Sequence, residues 1–117
     1  MSSVNLQGEI EVQPMKNNRF EGWRIYRSGA RCGFIKFTII TERVFKNYAT
    51  IEFLIPKPMR GRHIGRIALK KAIDRSIHKK FHARVRKTNI PSFKALTAVG
   101  FRVHSDKRQY EMIYKKP

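Results

Sequence analysis

Acids and cysteine are what this chain has least of. Eight Asp plus Glu stand against 26 Lys plus Arg, so 117 residues carry a net charge of +18. Such a field attracts phosphate and other anions, and the expected partner is therefore anionic. Cys32 is the only cysteine, which excludes an internal disulfide and any multi-cysteine zinc site. It reads as a small buried thiol on a strand. Long apolar runs are also missing. Phe37 to Ile40, and Ile51 to Ile55 with Glu52 inside, fall far short of the roughly 20 residues a membrane helix requires. The first residues, Met1 to Asn5, have neither a basic n-region nor an apolar h-region, so no secretory signal is read and a cytoplasmic location is expected. No internal repeat, low-complexity tract or linker interrupts the sequence. A chain of this length buries one modest core, and one domain over residues 1–117 is expected.

What is present follows a clear order. Glu9 to Val12 alternates polar and apolar residues before Pro14 and predicts a short first strand. Gly22–Tyr26 and Gly33–Ile40 are rich in aromatic and β-branched residues and flank the turn signal Ser28-Gly29, which predicts an antiparallel hairpin. Tyr48–Ile55 predicts a fourth strand with Ile51, Phe53 and Ile55 on one face, ended by Pro56 and Pro58. From Ile64 to about Lys80, apolar residues including Ala68, Leu69, Ala72, Ile73 and Ile77 recur at three- and four-residue spacing, the signature of an amphipathic helix. Phe81–Val85 reads as a fifth strand. Asn89-Ile90-Pro91-Ser92 opens a second helix that Gly100 stops, and Phe101–His104 and Gln109–Tyr114 close the chain as a hairpin.

Between Ile55 and Arg66 a strand passes into a helix through a basic, glycine-containing turn. Turns of this kind bind phosphates: the free N–H groups and positive dipole end of the helix face the anion, and glycine lets the main chain approach it. Arg60, Arg62 and Arg66 add charge. The run Arg60-Gly61-Arg62-His63-Ile64-Gly65 resembles the pyrophosphate-binding signature of the GNAT family of N-acetyltransferases, with His63 standing where the family usually has glycine. Asn89, Ser92, Ala95, Val99, Gly100 and Phe101 are similar to the family's Asn-x-x-Ser/Ala pattern ending in Gly-Phe. The resemblance implies an α+β (α/β) fold, a mixed and mostly antiparallel sheet of six to seven strands with two main helices. It further implies acetyl-CoA as cofactor, bound by Ile55, Arg60, Gly61, Arg62, His63, Ile64, Gly65, Arg66, Asn89 and Ser92. In the family the fourth and fifth strands splay apart and the pantothenyl arm lies in the gap.

The usual family reaction is attack of a neutral amine on the thioester, with a base for the amine proton and an acid for the leaving thiolate. The acid tyrosine that the family commonly places four residues before Gly-Phe is here Leu96. Glu52, on the fourth strand, is the candidate base and Tyr110, on the last strand, the candidate acid; each also has a structural reading, as an ion-pair partner of one of many arginines or as packing. About seven residues join the first two strands where the family inserts two helices, so the acceptor side is expected to be open or closed by another subunit of a homo-oligomer.

Between Lys57 and Arg108 sixteen basic residues meet two acids, Asp74 and Asp106. Lys70, Lys71, Lys79, Lys80, Arg84, Arg86 and Lys87 are expected to form one face toward a nucleic acid, with Phe81 and Phe93 as stacking candidates. Three functions are weighed. The first is N-acetyl transfer from acetyl-CoA to an amine of a macromolecule such as RNA, a nucleoprotein or an acidic protein. The second is a catalytically degenerate GNAT-like binding or inhibitory module that contacts nucleic acid or a nucleoprotein, a compact build similar to GNAT-like proteins encoded by phages. The third is a dedicated nucleic-acid-binding domain. His78 and His82 are four apart, but the helix is expected to end between them and no cysteine is near, so no metal is expected; the short apolar runs leave no membrane partner expected.

Overall fold

A computed structural model describes residues 9–15, 17–55 and 63–117. Seven strands form one sheet: β1 (Ile10–Met15), β2 (Glu21–Arg27), β3 (Ala30–Ile39), β4 (Ala49–Leu54), β5 (Lys80–Arg86), β6 (Arg102–Ser105) and β7 (Gln109–Lys115). Two helices, α1 (Ile64–Arg75) and α2 (Ile90–Val99), follow β4 and β5. The sheet order is β1-β2-β3-β4-β5-β7-β6, and every neighbouring pair is antiparallel except β4 and β5. The expected mixed, mostly antiparallel sheet with two helices is thus the observed one. No helix among the described residues is long and apolar enough to cross a membrane.

Local sequence explains the elements and their ends. Ser28 and Gly29 both take positive φ, 48° and 85°, as a two-residue hairpin turn demands. Pro14 does not end β1. It pairs with Trp23 inside the strand, which a proline can do because β1 is an edge. Helix α1 is shorter than its apolar spacing predicts, and the cause is Ser76. That residue turns extended (ψ 148°), its hydroxyl donates to Glu21 Oε1 at 2.7 Å, and Ser76 Oγ itself accepts the N–H of His78 at 3.0 Å. Ile77, expected on the buried stripe, consequently points to solvent at 81% exposure. Gly100 closes α2 at φ 121°, its N–H donating to Leu96 and Thr97.

Both helices pack side by side on one face of the sheet. Ile64, Ala68, Leu69, Ala72 and Ile73 of α1 and Leu96 and Val99 of α2 bury against Ile35, Phe37, Ala49, Phe81, Ala83, Val85 and Met112. Phe37 and Phe81 meet edge to face at 5.1 Å near the centre. Phe81 is fully buried, so it cannot stack on a base. Cys32 is also buried, as expected, at a bulge where Ile25 pairs with Gly33 and Tyr26 with Arg31. On the opposite face the alternation places Arg24, Phe34, Lys36, Thr38, Thr50, Glu52, Leu54, His82, Arg84 and Glu111. No described helix covers that face; the β1–β2 connection, residues 16–20, is too short to supply one.

Candidate functional site

Strands β4 and β5 pair at only two rungs, Ala49 with Phe81 and Thr50 with His82, and then diverge. Beyond the divergence a cavity of about 570 Å³ opens, lined by the end of β4 (Phe53, Leu54, Ile55), the start of α1 (His63 to Arg66) and the start of α2 (Asn89, Pro91, Ser92, Lys94, Ala95). That volume lies within the roughly 300–1,000 Å³ of small-molecule sites. Ile55, His63, Ile64, Gly65, Arg66, Asn89 and Ser92, assigned from sequence to cofactor binding, all line it. Arg60, Gly61 and Arg62 lie outside the described residues, as do Pro56 and Pro58.

The electrostatics of the cavity favour an anion. Two helix starts converge on it, neither first turn carries an acid, and no side chain caps α1. The first-turn N–H groups of a helix have no intrahelical acceptor and carry its positive dipole end. Helix α2 is capped by Asn89, whose Oδ1 accepts the Ser92 N–H at 3.3 Å. His63 sits in the left-handed region, φ 60° and ψ 25°. This conformation is natural to glycine and costs another residue about 1–2 kcal/mol. The backbone therefore takes a conformation that favours glycine although the residue is histidine. Gly65 has a packing reason as well: a Cβ there would stand 3.0 Å from the Phe53 ring, so β4 and α1 meet through this glycine.

The candidate catalytic residues do not come together. Glu52 is exposed on the uncovered face, cross-strand from Lys36. Tyr110 is under α2 on the other face, its ring 4.7 Å from Phe93 and Lys87 Nζ 5.6 Å above it. Leu96 is 3% exposed and packed in the core. The basic residues expected to share one face are divided as well. Lys70 and Lys71 are on α1, Lys70 paired with Asp74 at 2.9 Å and Lys71 donating to the Ile10 carbonyl at 2.6 Å. Arg84 and Arg86 are on the uncovered face of β5, and Arg84 is engaged by Glu111. Lys80 lies over the Tyr48 ring at 5.5 Å, and Lys79 is exposed between α1 and β5.

Sequence reasoning missed two features. One is Gly33, whose missing side chain lets the Leu54 carbonyl approach, and a lone glycine in a strand pattern is the signal for such a contact. The other is a buried polar group at the last β4–β5 rung. His82, 3% exposed, has Nδ1 3.1 Å from Thr50 Oγ1 and Nε2 3.0 Å from Glu111 Oε1. Burial holds the His82 imidazole below its usual range against the pull of the Glu111 hydrogen bond, with Arg84 and His104 pressing it lower. Burial pushes the Glu111 carboxyl up, but hydrogen bonds from His82 and Arg84 outweigh it and bring the group below its usual range. No local signal could have joined residues 29 and 32 positions apart.

A model of the acetyltransferase (GNAT) family matches residues 6–101. Among solved structures the chain is similar to RimJ of Mycobacterium smegmatis in complex with CoA-disulfide, at 21% identity and a TM-score of 0.70, covering 83% of this chain and 53% of that one. It is similar also to the ribosomal-protein-S5-alanine acetyltransferase of Vibrio fischeri (16%, TM-score 0.70, 85% of this chain and 63% of that). A third is the N-acetyltransferase PseH of Campylobacter jejuni in complex with acetyl coenzyme A (19%, TM-score 0.68, 86% and 71%). The chain thus spans about half the length of RimJ. A sequence search of curated proteins found no match.

Proposed function

The chain belongs to the GNAT acetyltransferase family, and from that premise we propose that it moves the acetyl group of acetyl coenzyme A to an amine of an anionic macromolecule. The observation that carries this reading is the divergence of β4 from β5 with two helix starts opening onto the gap. The residues present suit the cofactor. The N–H groups at Ile64 to Arg66 would hold its pyrophosphate, Asn89 and Ser92 would contact the arm, and Phe53, Leu54 and Ile55 offer apolar wall. Bound there, acetyl coenzyme A supplies an activated thioester carbonyl.

The chain's own contribution is positioning and proton handling. Glu52, exposed on the uncovered face two residues beyond the last β4–β5 rung, is suited to take the proton of an arriving ammonium. Tyr110, held under α2 by Phe93, serves packing. The face that no described helix covers suits a large acceptor, and the +18 charge favours an anionic one. The similarity to an acetyltransferase of a ribosomal protein supports a macromolecular acceptor.

A binding or inhibitory module without turnover is the second reading, favoured by one observation: Leu96 is buried in the core, so α2 offers no acid to a leaving thiolate. Calorimetry with coenzyme A, followed by thiol release from acetyl coenzyme A with acidic peptides bearing a free amine, separates the two. Binding with turnover is expected. Binding without turnover selects the module, and no binding at millimolar coenzyme A refutes the transferase reading.

A further inference from the structure

We propose that Thr50, His82 and Glu111 form a proton relay at the point where β4 and β5 part, with Thr50 receiving the proton that the acceptor amine sheds as its new bond forms. The inference rests on the transferase reading above.

The geometry carries it. Thr50 and His82 are the last paired residues before the cavity, and both point to the face that no described helix covers. Three groups follow one another at hydrogen-bond distance: Thr50 Oγ1 to His82 Nδ1 at 3.1 Å, then His82 Nε2 to Glu111 Oε1 at 3.0 Å. Arg84 Nη2 holds the same carboxylate oxygen at 3.2 Å. An ionised carboxylate can only accept, so the imidazole proton belongs on Nε2 and Nδ1 is left to accept from the Thr50 hydroxyl. Hydroxyl, imidazole and carboxylate in this order are the arrangement that makes a hydroxyl oxygen basic. The Phe45 ring, itself 8% exposed, lies 4.4 Å from the imidazole and shields it from water. The Thr50 oxygen is thereby the outlet of the relay, for Thr50 is only half-buried.

The step balances. As the amine nitrogen bonds the acyl carbon, its proton passes to Thr50 Oγ1 while the Thr50 proton passes to His82 Nδ1. The N–H electron pair stays on nitrogen, and the thiolate departs with the pair of the broken C–S bond. Glu111 stabilises the imidazolium. The charged or titratable groups facing His82 are Glu111 from β7, Arg84 from β5 and His104 from β6, and only Glu111 favours the protonated ring. The relay is consequently ready when His82 is neutral, which burial ensures above its depressed range.

Two measurements test it. Nitrogen-15 NMR of the His82 ring in the unliganded protein should show the Nε2-protonated tautomer at neutral pH; an Nδ1-protonated ring would make Thr50 the acceptor and overturn the relay whatever the activity. In turnover with acetyl coenzyme A and an acidic peptide amine, Thr50→Val should lower kcat about a hundredfold, with coenzyme A affinity retained. Thr50→Val should also lose the acid limb of the pH profile, and Thr50→Ser should recover most of the loss. An active wild type whose Thr50→Val variant keeps its kcat and pH profile overturns the relay alone. A wild type that binds coenzyme A but turns over no amine overturns the transferase reading and the relay with it.

Discussion

Replacing Gly33 by alanine tests whether the lip of the cavity is set by backbone contact between β3 and β4. A Cβ at Gly33 would fall well inside the 3.0 Å that real Cβ atoms respect, and the atom it meets is the Leu54 carbonyl oxygen, with Ile55 Cα and Cγ1 next at 3.3 Å. A flexible side chain could swing away; a main-chain carbonyl in a paired strand moves only if the strand moves. Overpacking of this kind costs about 1–3 kcal/mol. Alanine recovers part of that, about 0.4–1 kcal/mol, by restricting the unfolded chain. The net loss is about 1–2 kcal/mol, which for a chain of this length lowers Tm by roughly 4–8 °C. Because Leu54 and Ile55 line the cavity, coenzyme A affinity measured by calorimetry on the folded variant should fall too. Gly29→Ala is the control: nothing lies within 4 Å of a Cβ there, so only its positive φ is strained and the cavity is untouched. Unchanged Tm and affinity in Gly33→Ala would refute the argument.

Two further outcomes are expected. Asn89→Ala removes the cap of α2 and should cost about 1 kcal/mol of unfolding free energy, read as a lower urea midpoint, with weaker coenzyme A binding because Asn89 also lines the cavity; an unchanged midpoint would mean that the cap contributes nothing. Tm should depend on pH through His82 and Glu111, whose folded pKa values both lie below the ordinary 6.5 and 4.5. Their stabilisation is complete above about pH 6.5 and is lost as pH falls, because the unfolded chain then binds more protons, first at His82 and then at Glu111. A calorimetric Tm that stays flat between about pH 7 and 5, or a His82→Gln variant with the same decline as wild type, would contradict this.

Local chemistry accounts for most of what the sequence by itself determined. Strand alternation, the three- and four-residue spacing in α1, Ser28-Gly29, the Asn89 cap and the Gly100 stop act over a few residues, and the elements appear where those signals stand. The residues brought together around the cavity were legible for the same reason: Ile55 and Gly65 flank one strand-to-helix turn, and Asn89 and Ser92 share one helix start. The tertiary structure decided what depends on distant partners. Glu21, 55 residues away, accepts the Ser76 hydroxyl at the point where α1 ends. Packing both helices on one face separated Glu52 from Tyr110 and divided the basic residues, because a strand sends alternate side chains to opposite sides and only burial against a neighbour says which side is covered. The pairing of β4 with β5 for just two rungs placed Thr50 beside His82, and β7 brought Glu111 to the same ring. A short-range pattern holds no record of such a meeting, since hydrogen bonds between strands obey register in space and not separation along the chain.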